Sequence, residues 1–129
     1  MRHALETSHR TSAVEGTESA LAVFFALAEE WGLSTDQQIR LLGSPARSTF
    51  FKWKKEGGLI PGDMLERISH LISIYKALNI LFPDSDRATS WLKRSNKYFD
   101  GLSALDVMLE GKLADIYRVR AYVDSQRGG

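Results

Sequence analysis

The feature that most constrains this chain is a long amphipathic segment, residues 63–82, whose apolar side chains cover more than half of a helix. These side chains recur at steps of three and four: Met64, Leu65, Ile68, Leu71, Ile72, Tyr75, Leu78, Leu81 and Phe82. Asp63, with Glu66 three residues later, predicts the N-cap, and Pro83 predicts the end. Ile74 and Ile80 lie off the main stripe, which is more apolar surface than a half-exposed helix needs. We therefore expect a central helix with other elements packed on both flanks.

The composition favours one folded domain, or two very small domains that share a core. Of the 129 residues, 43% are hydrophobic and 10% are aromatic, which is enough to build a buried interior. The chain has no cysteine, so it can form neither a disulfide framework nor a thiolate zinc site. No apolar run resembles a signal peptide or a membrane span, and we expect a soluble cytoplasmic protein without membrane partners.

The N-terminal residues predict a tail followed by a helix. Residues 1–16 are polar and aperiodic and end in glycine, which predicts a flexible tail. Thr17 predicts the start of a helix, and Gly32 predicts its end. The large aromatic residues of this helix are expected in the core rather than at a dimer surface; they are Phe24, Phe25 and Trp31.

Two short helices are predicted next. Ser34 has a glutamine three residues later, which is a capping-box pattern. The sequence Gly-Ser-Pro at 43–45 ends the first short helix. A second helix is expected from about Ala46 to Lys55, with Phe50 and Trp53 on its inner face. Two short helices joined by a glycine-containing turn indicate a helix-turn-helix.

The C-terminal part is predicted to be helical as well. Asp84 and Ser103 predict the caps of two helices, with a loop over residues 95–101 between them. A last helix is expected from about Leu113 to Gln126. Its inward residues are predicted to be Leu113, Ile116, Tyr117 and Val123. Because no segment shows the alternation of a strand, the fold class is predicted to be all-α.

No pattern in the chain predicts catalysis or a cofactor. His3, His9 and His70 have no second ligand at helical spacing, so no metal site is expected, and His70 is interpreted as a helix-surface residue. No glycine-rich phosphate loop occurs, and no serine is spaced from a histidine as a nucleophile is from its base. We therefore expect a protein that is not an enzyme and that binds no cofactor.

The positions of the charges are more informative than the net charge, which is only +1. Between Gln37 and Lys55 there are five basic residues and no acidic residue. Arginine, lysine and hydroxyl side chains are those that contact phosphates and base edges in DNA complexes. The candidate DNA-binding residues are Arg47, Ser48, Thr49, Lys52, Lys54 and Lys55. The alternative is an ordinary solvated helix surface, because basic helix pairs are common.

The C-terminal helix carries a second group of candidate residues. They are Arg118, Arg120, Tyr122, Asp124 and Arg127. One interpretation is a rigid helix with a flexible tip that enters a cleft in a partner, with residues 122–129 burying little surface. The other interpretation is that Tyr122 packs, that the arginines are solvated and that the terminal Gly-Gly frays. The residues alone favour the second interpretation.

Three stretches of the chain occur in an order that is typical of one protein family. They are RISHLISIYKALNILF, the Asn96…Phe99-Asp100-Gly101…Ala104-Leu105 stretch and Val119-Arg120-Ala121-Tyr122. Together they resemble the Xre–MbcA–ParS antitoxins of bacterial toxin–antitoxin pairs, over about residues 34–126. The resemblance implies a tail at 1–16, an Xre-like helix-turn-helix at 17–60, and a central helix with a small toxin-binding domain at 61–129.

The resemblance also implies partners and a mechanism. The usual partner is a RES-domain toxin, which degrades NAD or uses it to ADP-ribosylate a target. In this family the antitoxin covers the NAD-binding cleft of the toxin with its C-terminal end, and the complex represses its own operon. Operator DNA and a homodimer within a larger complex are therefore expected. Carried onto this sequence, the toxin-binding residues are Arg118, Arg120, Tyr122, Asp124 and Arg127.

The chain departs from the family pattern at two places. Ser95-Asn96 stands where the family usually has Pro-Asn, and the run from Gly43 to Trp53 is one residue longer than the usual Xre spacing. The second departure affects how the recognition helix would dock on DNA. The alternative function is a helix-turn-helix transcriptional regulator whose main role is DNA binding.

Overall fold

The computed structural model describes the backbone of residues 13–128 and the side chains of residues 20–128. Seven α-helices and one short 3-10 turn follow one another along this part of the chain. In order they are α1 (Ala13–Glu30), α2 (Thr35–Leu41), α3 (Arg47–Glu56), α4 (Gly62–Leu81), α5 (Ser85–Lys93), the 3-10 turn (Lys97–Phe99), α6 (Ala104–Met108) and α7 (Leu113–Gln126). Within residues 13–128 there is no β-strand, only an isolated bridge between Ser95 and Ser103. The predicted all-α class is confirmed.

The central helix α4 has other helices packed on both flanks, as predicted. Its most extensive contacts are with α7, followed by those with α1. The stripe that it buries consists of Met64, Ile68, Leu71, Ile74, Ala77 and Leu78. Ile74, which was placed off the main stripe, is fully buried, whereas Ile80 is 63% exposed. Because α1 and α7 approach from different directions, the buried surface is wider than a single stripe.

The C-terminal end of α4 is as predicted, but its N-terminal end is not. The helix ends at Leu81, and Pro83 prevents its continuation. The predicted cap at Asp63 is wrong, because Pro61 is the N-cap and its carbonyl accepts a hydrogen bond from the amide of Leu65 at 3.0 Å. Asp63 therefore lies in the first turn, where its carboxylate is favoured by the positive end of the helix dipole.

Helix α1 begins at Ala13, four residues before the predicted start at Thr17. Residues 13–16 of the predicted tail are thus helical, while residues 1–12 lie outside the described part. Gly16 lies inside α1 and does not end the tail, because a glycine inside a helix lowers stability by only about 0.5–1 kcal/mol relative to alanine. Phe24 and Trp31 are buried in the core, as expected. The end of the helix next to Gly32 is also confirmed, with glycine at a φ of 68°.

The local signals for the two short helices are confirmed. The hydroxyl of Ser34 accepts a hydrogen bond from the amide of Gln37 at 3.1 Å, and the Gln37 side chain accepts one from the amide of Ser34 at 2.9 Å. This capping box opens α2. The turn after α2 holds Gly43 at a φ of 93° and Ser44 at 62°, and α3 follows it.

In the C-terminal part, the bounds of the last helix and the two predicted caps are confirmed. Asp84 caps α5, and Ser103 forms a capping box that opens α6. The segment predicted as a loop contains the 3-10 turn at 97–99. The inward orientation predicted for Tyr117 is wrong, because the buried stripe of α7 consists of Ile116, Val119 and Val123. Tyr117 is one residue from this stripe, which rotates its side chain by about 100° toward solvent.

Two arginines connect the helix-turn-helix side of the molecule to the C-terminal side. The Nε atom of Arg40 on α2 donates a hydrogen bond to the carbonyl of Leu109. The Nη1 atom of Arg67 on α4 donates another to the carbonyl of Gly111, at 2.8 Å. Both acceptors follow α6, at a helix end where carbonyls lack partners within the helix. Arg40, which was counted with the basic segment, thus faces the C-terminal half.

We predict that truncation of Leu78 destabilises the whole chain, because its side chain is buried on α4. Leu78→Ala is expected to lower the free energy of unfolding by about 2–5 kcal/mol. The matched control is Ile80→Ala, since Ile80 lies two residues away on the same helix but is exposed, and its effect should stay within about 0.5 kcal/mol. Urea unfolding monitored by circular dichroism measures both. Equal effects of the two substitutions would contradict the described packing.

Candidate functional site

The first candidate surface lies on α3, whose inner face is fixed by Phe50. Phe50 is fully buried and Trp53 is half-buried, so the predicted orientation of the helix is confirmed. At about 100° per residue, the side opposite these two aromatic residues carries Ser48, Lys52 and Lys55. All three are exposed. We call this side of α3 the outward face.

The other three candidates lie at the edges of the outward face. Arg47 and Lys54 are exposed, whereas Thr49 is half-buried and therefore less accessible. Phe51, which sequence reasoning did not single out, also lies on the outward face and is exposed. A signal for it was present in the sequence, because Phe51 is one residue, or about 100°, away from the inner position of Phe50 on the helix.

Arg47 already has an acidic partner. Its Nη1 atom lies 2.6 Å from Oδ1 of Asp36, which is in the first turn of α2. Its guanidinium also lies over the ring of Phe51, 5.7 Å from the ring centre. Both members of the ion pair are largely exposed, and such pairs contribute at most about 1 kcal/mol. A phosphate group could therefore compete with Asp36 for Arg47.

The second candidate surface, on α7, is divided. The buried stripe of α7 runs between two groups of the predicted residues. Arg118 and Tyr122 lie on one side of the helix, roughly half a turn away from Arg120, Asp124 and Arg127 on the other side. The five residues are close in sequence, but the structure does not bring them together into one site.

The side with Tyr122 is an aromatic cluster. The ring of Tyr122 stacks on Tyr98, with centroids 4.2 Å apart, and on Trp91, with centroids 6.2 Å apart. Phe99 meets it edge-on, and the guanidinium of Arg118 lies 5.2 Å from the centre of the Phe99 ring. The interpretation that Tyr122 packs is confirmed. The expectation that residues 122–129 bury little is wrong at its start, because Tyr122 is half-buried and Val123 is fully buried.

The other side of α7 is polar and faces α4. Arg120, Asp124 and Arg127 line a groove of about 370 Å³ together with Ser73 and Lys76 of α4. Within this groove the Nε atom of Arg120 lies 3.6 Å from a carboxylate oxygen of Asp124. Arg127 and Lys76 are exposed, so the groove carries positive charge at its surface.

His70 belongs to this polar side. Nη1 of Arg120 lies 2.9 Å from Nδ1 of His70. Because a guanidinium only donates, Nδ1 accepts, and the ring proton is on Nε2, which lies 3.7 Å from Glu66. His70 is therefore positioned as a hydrogen-bond partner of Arg120. Its side chain is only 12% exposed, so its interpretation as a helix-surface residue is wrong.

Tyr75 is the tyrosine at the contact between α4 and α1. Its hydroxyl donates a hydrogen bond to Glu30 at 2.9 Å. Burial, followed by this hydrogen bond, raises the pKa of Tyr75 above its usual value. The hydroxyl consequently stays protonated and holds the two helices together. This arrangement explains the raised pKa by packing, without a catalytic role.

No group of three or more histidine, cysteine, aspartate or glutamate side chains between residues 20 and 128 is arranged to hold a metal ion. In the same part of the chain, no helix is both long and apolar enough to cross a membrane.

Comparisons with known proteins match both parts of the chain. Residues 12–73 match the antitoxin Xre-like helix-turn-helix domain, and residues 77–129 match the antitoxin Xre/MbcA/ParS C-terminal toxin-binding domain. A relative is the uncharacterized protein y4oB of Sinorhizobium fredii (strain NBRC 101917 / NGR234). It is 62% identical over 109 residues, which cover 84% of this chain and 84% of the relative. With a helix-turn-helix in front and a toxin-binding domain behind, this chain belongs to the Xre/MbcA/ParS family of antitoxins.

Proposed function

We propose that this antitoxin neutralises a cognate RES-domain toxin, an enzyme that consumes NAD or uses it for ADP-ribosylation. It does so by covering the active-site cleft with α7 and the residues that follow. The supporting observation is the construction of α7, which ends the part of the chain that matches a toxin-binding domain. Its 14 residues are anchored by a buried stripe, while residues 125–128 are exposed. A rigid helix with an accessible end can enter a cleft at a low entropic cost.

The candidate residues on α7 have different roles in toxin binding under this proposal. Arg127 is exposed next to Lys76, so the end of the helix offers positive charge to a carboxylate of the toxin. Arg120 and Asp124 have partners within the chain and serve mainly to fix the helix. Arg118 and Tyr122 lie on the aromatic side and contact the toxin beside the cleft. The chain acts by occupying the cleft, without catalysis of its own.

We further propose that the chain represses its own operon through α3. The outward face presents two lysines and a serine, which suit phosphate contacts and base edges in a major groove. Helix-turn-helix proteins read paired half-sites as dimers, so a homodimer is proposed within the toxin–antitoxin complex. Phe24 and Trp31 are buried in the core and are not available for that dimer. The second candidate function is a regulator whose main role is DNA binding.

We predict that removal of Ser125–Gly129 impairs toxin neutralisation more than folding. The truncation begins after Asp124, because Tyr122 and Val123 are packed, whereas residues 125–128 are exposed. The thermal unfolding midpoint should change by no more than a few degrees. Growth after co-expression with the neighbouring toxin gene measures neutralisation. Full rescue of growth by the truncated chain would contradict occlusion by the end of α7.

A charge reversal gives a matched test of the same proposal. Arg127→Glu is expected to weaken toxin binding about tenfold or more, because hydrogen bonds to charged groups contribute about 1.5–3 kcal/mol. Arg87→Glu is the control, since Arg87 is an exposed arginine on α5 of the same domain. Titration calorimetry with purified toxin measures both dissociation constants. Equal weakening by the two variants would indicate a general charge effect and would count against the role of Arg127.

DNA binding makes an independent prediction about salt. The double variant Lys52→Ala, Lys55→Ala should weaken binding to the DNA upstream of the gene. It should also reduce the slope of log K against log salt by about 1.8, because each phosphate contact contributes about 0.9. Lys97→Ala, an exposed lysine in the C-terminal half, should leave the slope unchanged. Mobility shifts at several salt concentrations measure the slopes. Failure of the unmodified chain to shift this DNA at low salt would exclude the repressor function.

A further inference from the structure

We infer that the segment 95–103 is a preformed docking element for the toxin, and that Tyr98 is its anchor. The inference rests on the proposed function and adds to it a contact surface outside α7. Tyr98 is 55% exposed and Leu102 is 45% exposed, although both are large apolar side chains. They lie on one short segment within the part of the chain that matches a toxin-binding domain. The segment 95–103 is called the docking loop below.

The docking loop is held rigid by hydrogen bonds at both ends. The Oδ1 atom of Asn96 accepts a hydrogen bond from the amide of Tyr98 at 2.8 Å. The Ser95 hydroxyl donates to the carbonyl of Gly101 at 2.7 Å, and the amide of Asn96 donates to the carbonyl of Leu102 at 3.1 Å. The side chains that it exposes are thus ordered before any partner arrives. Such preorganisation reduces the entropy lost on binding.

The ring of Tyr98 is fixed as well as exposed. It stacks on Tyr122 at a centroid distance of 4.2 Å, and Tyr122 stacks in turn on Trp91. It also meets the buried ring of Phe99 edge-on, with centroids 5.1 Å apart. A tyrosine held in this way offers apolar area and a hydroxyl at a low entropic cost. Tyrosine and tryptophan in such positions dominate the binding energy of many protein interfaces.

The toxin is favoured as the occupant by continuity with the surface already proposed. Tyr98 contacts Tyr122, and Arg118 lies over the neighbouring Phe99, so the docking loop extends the aromatic side of α7. On the opposite side of α7, Arg120 already has partners in His70 and Asp124. The exposed side chains of the aromatic side are therefore more available to a partner than Arg120 is on the polar side.

The charges around the docking loop define the complementary partner surface. Lys97 and Arg118 are exposed beside the aromatic cluster, and Asp100 is the acidic residue of the loop tip. The net charge of these three residues is therefore positive. We expect Tyr98 to enter an apolar pocket of the toxin whose rim carries carboxylates, because opposite charges at a rim favour correct encounter and register.

Tyr98 has a control in Ile80, a large apolar side chain that is 63% exposed but lies on α4, outside both the docking loop and α7. Full-length variants are titrated with the proposed partner, a RES-domain toxin purified as an inactive active-site variant. Tyr98→Ser is expected to raise the dissociation constant about 30-fold, as for a residue at the centre of an interface. Tyr98→Phe should stay within about threefold, and Ile80→Ser should bind like the unmodified chain.

Thermal unfolding establishes whether each variant is folded. If Tyr98→Ser does not fold, Leu102→Ser is used in its place. Unchanged toxin binding by a folded Tyr98→Ser or Leu102→Ser variant overturns the inference. Equal weakening by Ile80→Ser also overturns it, and so does an effect confined to self-association in size-exclusion chromatography. If the unmodified chain itself does not bind the toxin, the proposed function fails as well. Toxin binding by the unmodified chain therefore distinguishes a failure of this inference from a failure of the proposed function.

Discussion

The structure depends on a single packing arrangement, in which α4 is buried between α1 and α7. The two family matches end and begin at 73 and 77, so the boundary between them falls within α4, at Gly62–Leu81. A domain of about 60 residues buries only about 60% of its surface and is marginally stable alone. The shared helix removes this difficulty, because Ile68, Leu71 and Ile74 belong to one core cluster that serves both parts. The DNA-binding and toxin-binding parts are therefore one folding unit.

Arg67 makes the geometric relation between the two parts specific. Its guanidinium donates to the carbonyl of Gly111, just before α7. On its other side it lies against the turn of the helix-turn-helix, where a Cβ added at Gly43 would be 3.1 Å from the Arg67 Nε atom. Gly43 thus gives the arginine room, and Arg40 supplies a second contact at Leu109. These directional hydrogen bonds fix the position of α2 and α4 relative to the segment that joins α6 to α7.

Features encoded by neighbouring residues could be predicted from the sequence. The capping boxes of Ser34 and Ser103 and the bounds of α7 depend on residues three or four positions apart, and all are confirmed. The errors occurred where a distant or less typical contact decided the outcome. Pro61 displaced the expected cap of α4, and Tyr117 turned outward because α4 covers the neighbouring side of α7. Periodicity reveals that a helix has an apolar face, but not which neighbour covers each part of it.

The same limit explains why the candidate site was only partly predictable. Residues of α7 that are close in sequence point to different sides, and one side is apolar only because Trp91 and Tyr98 come to it from elsewhere in the chain. Tyr98 belongs to no periodic pattern in the sequence, because an exposed side chain on a rigid loop does not recur at helical or strand spacing. A partner that binds on this side would contact Tyr98 and Arg118, which come from two separate segments and both lie against Phe99. Its affinity would then depend on the fold that α4 holds together, so a toxin that binds there also stabilises the helix-turn-helix against unfolding.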